Sequence, residues 1–322
     1  MKALVVGGAG YIGSHMLVLL KEKGVDTVVF DNLSTGHRNS VLYGEFVHGD
    51  LADAQHLEWL FNQYDFDIVL HFASSISVSE SVSDPLKYYK NNVVNTLNLL
   101  DAMIRHNVMN IVFSSSAAVY GEPQSVPMDE KHPKFPVSTY GRSKLMVEQV
   151  LADFALAYGL KYVVLRYFNA AGADPYGRLG ELHEPETHLI PLALRVAAGK
   201  AESLNVYGDD YNSEDGTCIR DYIHVSDLCR AHWMSMNYLI DSNQSDVFNL
   251  GTGEGVSVRR VVNICRQITG REIRVRYQPR RQGDPVELVA DPRKAMATLG
   301  WKPELSNIET IIAHAWSWES KR

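Results

Sequence analysis

The sequence predicts an α/β protein in which a doubly wound parallel sheet is followed by a smaller C-terminal α/β domain. Three observations carry this expectation. Residues 2 to 170 repeat one pattern: a short apolar run, a turn, then a longer stretch with helical spacing. The apolar runs are near-continuous rather than alternating, which marks strands buried on both faces. The first run leads into a glycine-rich turn that opens a helix. Strands separated by helices in this way make a parallel sheet with right-handed crossovers.

Taken in order, the strands are Lys2 to Gly7, Thr27 to Asp31, Phe46 to Asp50, Asp67 to Phe72, Asn110 to Ser114 and Tyr162 to Arg166. Two long helical stretches, Leu86 to His106 and Tyr140 to Tyr158, carry more apolar positions than one sheet-facing stripe needs. A thick internal core or a helix-to-helix contact in a homodimer accounts for them equally well. After Asn169 the rhythm changes. Pro175 to Thr187 is rich in Gly, Pro, Glu and His and reads as a loop over the site. Helices are expected at Val258 to Thr269 and Asn307 to Trp318, and the strands Cys218 to His224 and Val247 to Leu250 are expected to rejoin the main sheet. This predicts a first domain over 1–172, joined by segments around 218–250, and a second over 173–322. The length of 322 residues agrees with about two domains.

Composition removes several functions. With 31 Lys and Arg against 38 Asp and Glu the net charge is −7, which argues against nucleic-acid or anionic-membrane binding. The cysteines, Cys218, Cys229 and Cys265, form neither a Cys-x-x-Cys pair nor a His/Cys ligand set, so buried thiols and no metal are expected. No apolar run is long enough to span a bilayer, and the first strand is too glycine-punctuated for a signal peptide. A cytoplasmic protein is expected.

Gly7, Gly10 and Gly13 form Gly-x-x-Gly-x-x-Gly across the first strand-to-helix turn, enclosing Tyr11 and Ile12. Absent side chains let the backbone approach a pyrophosphate, and the helix N-terminus directs N–H groups and its dipole at the anion. Asp31 ends the second strand, where a carboxylate accepts the adenosine ribose hydroxyls and repels a 2′-phosphate, favouring NAD. Arg38 lies downstream. Asp50 and Leu51, ending the third strand, would flank the adenine.

Tyr140-Gly-Arg-Ser-Lys144 sets a phenol and an ammonium one helical turn apart on one face. A free tyrosine, with a pKa near ~10, is a poor base at neutral pH, and an adjacent lysine favours its phenolate. Before it, Ser114-Ser-Ser116 ends the fifth strand at the edge where doubly wound sheets bind ligands.

On these residues the chain resembles the extended short-chain dehydrogenase/reductases that act on nucleotide sugars, Rossmann-type enzymes. Asp31-Asn-Leu-Ser34, Ser114-Ser-Ser-Ala-Ala-Val-Tyr-Gly121, Tyr140 through Glu148, Arg166-Tyr-Phe-Asn169 and Arg220-Asp-Tyr-Ile-His224 are similar to those of the UDP-galactose 4-epimerase family in particular. The resemblance implies Ser116, Tyr140 and Lys144 as the catalytic set. It implies NAD held by Gly7, Gly10, Tyr11, Ile12, Gly13, Asp31, Asn32, Asp50, Leu51, Phe72, Ala73, Asn91, Ser114, Tyr140, Lys144 and Tyr167. It implies a UDP-sugar contacted by Ser116, Tyr140, Asn169, Leu189, Arg220, Arg281, Asp284 and Leu288, with both arginines on the diphosphate and Asp284 on the uridine ribose. Tyr140 would remove the 4′-hydroxyl proton, and the transient 4-keto sugar would take hydride back on its opposite face. Related dehydratases carry Asp and Glu, and related decarboxylases a Glu, where this chain has Ala117 and Ala118, which transfer no protons.

Two departures are visible. Ile76 stands where many relatives carry a lysine near the NAD phosphates, leaving that grip to the helix N-terminus and Asn91. Leu288 stands at the gate for the sugar 2′-substituent, intermediate between a closing Tyr and an opening small residue. A 4-epimerase of another UDP-sugar, an N-acetylhexosamine or a uronate, is one alternative. A catalytically silent NAD-binding regulator is the other.

Overall fold

The computed structural model describes residues 1–281 and 284–322, and the chain divides into two compact units. One comprises Met1–Gly121, Pro133–Arg166 and Cys229–Phe248; the other comprises Glu122–His132, Tyr167–Leu228 and Asn249–Arg322.

The first unit carries a seven-stranded sheet. Its elements are β1 (Lys2–Val6), α1 (Tyr11–Glu22), β2 (Asp26–Asp31), β3 (Glu45–His48), α2 (Ala54–Gln63), β4 (Ile68–His71), α3 (Val78–Ser83), α4 (Pro85–Tyr88), α5 (Asn95–Arg105), β5 (Asn110–Ser114), α6 (Thr139–Tyr158) and β6 (Lys161–Tyr167). The strand order is β3-β2-β1-β4-β5-β6, with Asp246–Leu250 as the seventh strand beside β6. The pairs β1 with β2 and β4, β2 with β3, and β5 with β4 and β6 are all parallel. This is the doubly wound sheet expected. Its apolar runs become a core in which Leu4, Val28, Val69, Ile111 and Val164 are buried together with Leu57, Leu100 and Leu151 of the covering helices. The strand order reverses between β1 and β4, and ligands of such sheets bind in the crevice beyond the carboxyl ends of those strands.

Local chemistry sets the helix ends. Asp53 accepts the N–H groups of Gln55 and His56 to start α2, and Ser138 accepts that of Gly141 to start α6. Gly159 ends α6 with φ of 80°, a conformation that costs a residue with a Cβ. The stretch Leu86 to His106, expected as one helix, instead runs as α4, a π-helical turn over Tyr89–Val94, and α5. Side-chain bonds hold the wider turn: buried Asn92 takes the Ser75 N–H and donates to the Ser75 carbonyl and the Ser143 hydroxyl. Such bulges are frequent at functional sites.

In the second unit, α7 (Leu189–Ala197) packs with the helices Val258–Thr269 and Ile308–Glu319 around Ile190, Leu194, Val262, Ile311 and Ile312. Small sheets complete it: Tyr222–His224 pairs with Asn169–Ala171, Ile219–Arg220 lies between Val256–Ser257 and Glu287–Leu288, and Leu204–Tyr207 pairs with Val275–Gln278. The run Cys218 to His224 therefore does not rejoin the main sheet. It is split at Asp221 between two small sheets of the second unit, whereas Asp246–Leu250 does join the seven strands. Residues 172–188 contain neither helix nor strand. Among the described residues no helix is long and apolar enough to cross a membrane, and all three cysteines are buried.

Candidate active site

The glycine turn lies at the reversal point. Gly7 has φ of +80°, and a Cβ there would come 2.5 Å from the Ala73 nitrogen after β4. A Cβ on Gly13 would come 2.3 Å from the Gly7 carbonyl oxygen. Both positions exclude side chains on steric grounds, and Gly10 starts α1 without a side-chain cap, so the first-turn N–H groups have no acceptor from the helix itself. Buried Asp31 accepts the Ala9 N–H at 2.9 Å and the Leu33 N–H at 2.8 Å, tying the turn to the end of β2 while keeping lone pairs for further donors. Asn32 donates to Asp50 at 2.7 Å, and the carbonyl of core-buried Leu51 accepts from Asn98. Phe72 lies with its ring 4.8 Å from that of His232, and Asn91 donates to Ser75. Ile76 is exposed. The dinucleotide-type residues of this unit thus gather around the ends of β1, β2, β3 and β4. Tyr167, at the end of β6, belongs to the second unit.

Ser116, Tyr140 and Lys144 also meet in the first unit. Ser116 accepts the Ala118 N–H at 3.1 Å and hydrogen-bonds to the Tyr140 phenol. A serine hydroxyl that accepts one N–H keeps a second lone pair and its own proton, so Ser116 can either donate to the phenol or accept from it. Lys144, 3 % exposed, donates to the Ser114 carbonyl at 2.7 Å, with its ammonium 5.9 Å from the Tyr140 ring centre. Ser114 donates to or accepts from His232 at 3.1 Å, according to the imidazole tautomer. Burial pushes the Tyr140 phenol up, opposed by the Ser116 bond. It pushes Lys144 down to about 7, opposed by Glu148.

A depressed lysine makes a signed pH prediction. Burial favours the neutral amine, so unfolding takes up a proton between about pH 7 and the usual lysine value of 10.5. This group's contribution therefore rises with pH across that window. Lys144→Met is expected to gain most stability relative to the wild type at pH 6 and to keep a clearly smaller advantage at pH 9, measured by denaturant unfolding. An equal difference at both values would show that the ammonium carries no such penalty.

Sequence reasoning missed several supports. A Cβ on Gly141 would come 2.3 Å from the Ala118 carbonyl, so glycine beside Tyr140 lets α6 close on the Ser116 turn. Glu148 is buried one turn beyond Lys144; it accepts from Ser115 at 2.6 Å and from Arg166 at 2.9 and 2.5 Å, while Arg166 donates to Tyr120 at 3.0 Å. The spacing 140, 144, 148 is the available signal, since it continues one helix face. His71, ending β4, bonds Thr96 and is pushed down to about 3 by burial and by Lys144.

In the second unit, Arg220 donates to the carbonyls of Ile219 and Pro285 and pairs with Asp284 at 3.2 Å. Leu288 is the strand partner of Arg220, so the two side chains project to one face. Asn169 donates to the Asp221 carbonyl at 2.9 Å, Leu189 begins α7, and exposed Arg281 lies 3.9 Å from the Tyr207 ring centre. Asp221 was also missed: it is fully buried and accepts from Thr252, Gly253 and Ala290, fixing the strand between Asn169 and Arg220. A cavity of about 500 Å³ lined by Arg259, Arg266 and Arg276 contains none of the predicted residues.

Comparison with known proteins shows the family of the chain. Residues 4–314 match the family model described as GDP-mannose 4,6 dehydratase. The chain is 50 % identical over 321 residues to a UDP-glucose 4-epimerase of Halalkalibacterium halodurans, covering 100 % of this chain and 96 % of that protein. The structure of the UDP-glucose 4-epimerase from Brucella ovis in complex with NAD superposes with a TM-score of 0.97 at 50 % identity, covering 99 % of this chain and 98 % of that one. The Bifidobacterium longum UDP-glucose 4-epimerase, in complex with NAD+ and UDP, superposes with a TM-score of 0.94 at 39 % identity, covering 100 % and 98 %. The chain belongs to the UDP-glucose 4-epimerase family, within the extended short-chain dehydrogenase/reductases.

Proposed function

We propose that this chain is an NAD-dependent UDP-sugar 4-epimerase that interconverts UDP-galactose and UDP-glucose through a 4-keto sugar. The observation that carries the reading is Ser116, Tyr140 and Lys144 meeting beside two alanines, Ala117 and Ala118, which offer no second proton-transfer group. NAD, when bound, supplies the chemistry of taking and returning a hydride. The residues present fit it: the side-chain-free cradle of Gly7 and Gly13 and the first turn of α1 would hold its pyrophosphate, Asp31 its adenosine ribose, and Asp50 and Leu51 would flank the base.

Tyr140 takes the proton of the sugar 4′-hydroxyl and gives it back. Ser116 hydrogen-bonds the same oxygen as it becomes a carbonyl. Burial opposes a phenolate and the Ser116 bond favours it; in this reading Lys144, on the same helix face, adds positive charge in favour of the phenolate. On the substrate side, Asn169, Leu189, Arg220, Arg281 and Asp284 would hold the nucleotide, so that binding energy resides away from the turning sugar. The Asp284 carboxylate already orients the Arg220 fork, and a fork matches phosphate oxygens bidentately. Supplied UDP-galactose should yield UDP-glucose in a coupled dehydrogenase assay; absence of product from protein carrying NAD rejects the reading.

Leu288 favours a second reading, in which N-acetylated UDP-sugars are also accepted, because it stands beside Arg220 and is neither large nor small. Leu288→Gly is expected to raise the rate on UDP-N-acetylglucosamine relative to UDP-glucose by roughly tenfold or more, the scale of one pocket contact. An unchanged ratio places the gate elsewhere.

The proposed assembly is a homodimer through the helices near 86–106 and 140–158. Leu86, Val94, Met146 and Leu156 are exposed on those helices, Leu156 at 88 %, which supports this reading. Light scattering should give twice the mass of one chain, and Leu156→Glu should lower it; a monomeric wild type excludes the dimer. A cytoplasmic location belongs to the same reading and is checked by following activity through cell fractionation.

A further inference from the structure

The segment 181–188 of the second unit gathers Glu181, His183, Glu186 and His188, with one ligand atom from each lying within 4.8 Å of all the others. Glu181 Oε1 is 3.0 Å from His183 Nδ1 and 2.6 Å from His188 Nδ1. Glu186 is oriented by the backbone, its Oε1 accepting the N–H groups of Thr187 at 2.7 Å and His188 at 2.9 Å. Its Oε2 is buried, has no hydrogen-bond partner, and faces His183 Nδ1 at 3.9 Å. A buried carboxylate oxygen without a donor is costly, and ion pairing with the two imidazoles leaves it so. A cation at the centre of the cluster would satisfy all four side chains together.

We infer that Glu181, His183, Glu186 and His188 form a four-ligand site for a divalent transition-metal ion of the zinc class. Two imidazole nitrogens with two carboxylates suit such an ion and disfavour calcium or magnesium, which prefer oxygen alone. Zinc binds nitrogen and oxygen ligands at about 2.0–2.2 Å, so tetrahedral ligands stand roughly 3.3–3.6 Å apart. The pair distances of 2.6, 3.0, 3.2 and 3.9 Å straddle that range, and small side-chain adjustments would close the shell. Four protein ligands leave no open position, which makes the role structural. His188 directly precedes α7, so the ion would fasten a segment without helix or strand to the first turn of that helix, where Leu189 stands. None of the familiar zinc spacings matches Glu-x-His-x-x-Glu-x-His, which is why the sequence alone suggested no metal.

The test uses the full-length protein as purified, stripped with a chelator, incubated with Zn²⁺ alone and passed through gel filtration. Elemental analysis should find one zinc per chain, and thermal unfolding should shift upward by several degrees on zinc addition and reverse with chelator. Glu181→Gln with Glu186→Gln should retain less than a tenth of that zinc and lose the shift; the amide introduced at position 186 keeps an oxygen for the two N–H groups. Zinc retention below a tenth of an equivalent by the wild type, or equal retention by the double variant, overturns the site. If the double variant does not fold, the reversible shift and stoichiometry of the wild type decide alone. Neither readout depends on epimerase activity.

Discussion

Tyr140→Phe is expected to lower turnover by about 10²–10⁴-fold, the usual worth of a positioned proton-transfer group, while leaving NAD bound and the fold intact. The phenol oxygen is the group that Ser116 hydrogen-bonds, and the Lys144 ammonium lies 5.9 Å from the centre of the same ring. Removing it leaves the ring in place over the same face of α6, so no cavity opens and no packing changes. The bound cofactor, measured after denaturation, should match the wild type. KM for UDP-galactose should change far less than kcat, because the proton shared with Tyr140 moves in the transition state and contributes little to ground-state binding. Near-normal turnover would remove Tyr140 from the role of base.

That Tyr140 and Lys144 share a face is readable from helix geometry, since a four-residue spacing puts two side chains on one face whatever surrounds them, whereas their chemical role is implied only by the resemblance of the flanking motifs. The strands were legible for a similar reason, since runs such as Leu4-Val5-Val6 can be buried on both faces only inside a parallel sheet. Partner choice is another matter. The run Cys218 to His224 reads as a strand, but an apolar run does not say which edge it pairs with, and here Asp221 is pinned by Thr252, Gly253 and Ala290 and divides it between two small sheets. The π-helical turn at Tyr89–Val94 depends on Asn92 reaching Ser75 and Ser143, contacts across 17 and 51 residues that periodicity does not encode. Gly141 looks like a helix-weakening residue until the Ala118 carbonyl is found against it. Glu148 and Arg166 look like two surface charges until the fold buries both.

Breaking that last pair is expected to have the largest effect on stability. Glu148→Gln should destabilise the protein by about 3–5 kcal/mol, because it removes the carboxylate that pairs with a buried guanidinium. Arg166 is 3 % exposed, and the Tyr120 hydroxyl that it also contacts carries no charge to offset it. The amide introduced at position 148 would keep one acceptor but turn a donor toward either Ser115 or Arg166, both of which already donate there. The midpoint of thermal unfolding should fall by on the order of 10 °C. Activity carries a separate signature, since the Glu148 charge opposes the burial that pushes Lys144 down. With that charge gone, Lys144 should lose its proton at lower pH, and the pH profile of the folded enzyme should decline earlier on its alkaline side. Replacing both partners, Glu148→Leu with Arg166→Met, separates the two effects: it removes the guanidinium as well and should recover most of the stability, yet it should retain the shifted pH profile. A double variant with a wild-type profile would confine Glu148 to a structural role, and a stable Glu148→Gln would mean that Arg166 finds its compensation elsewhere.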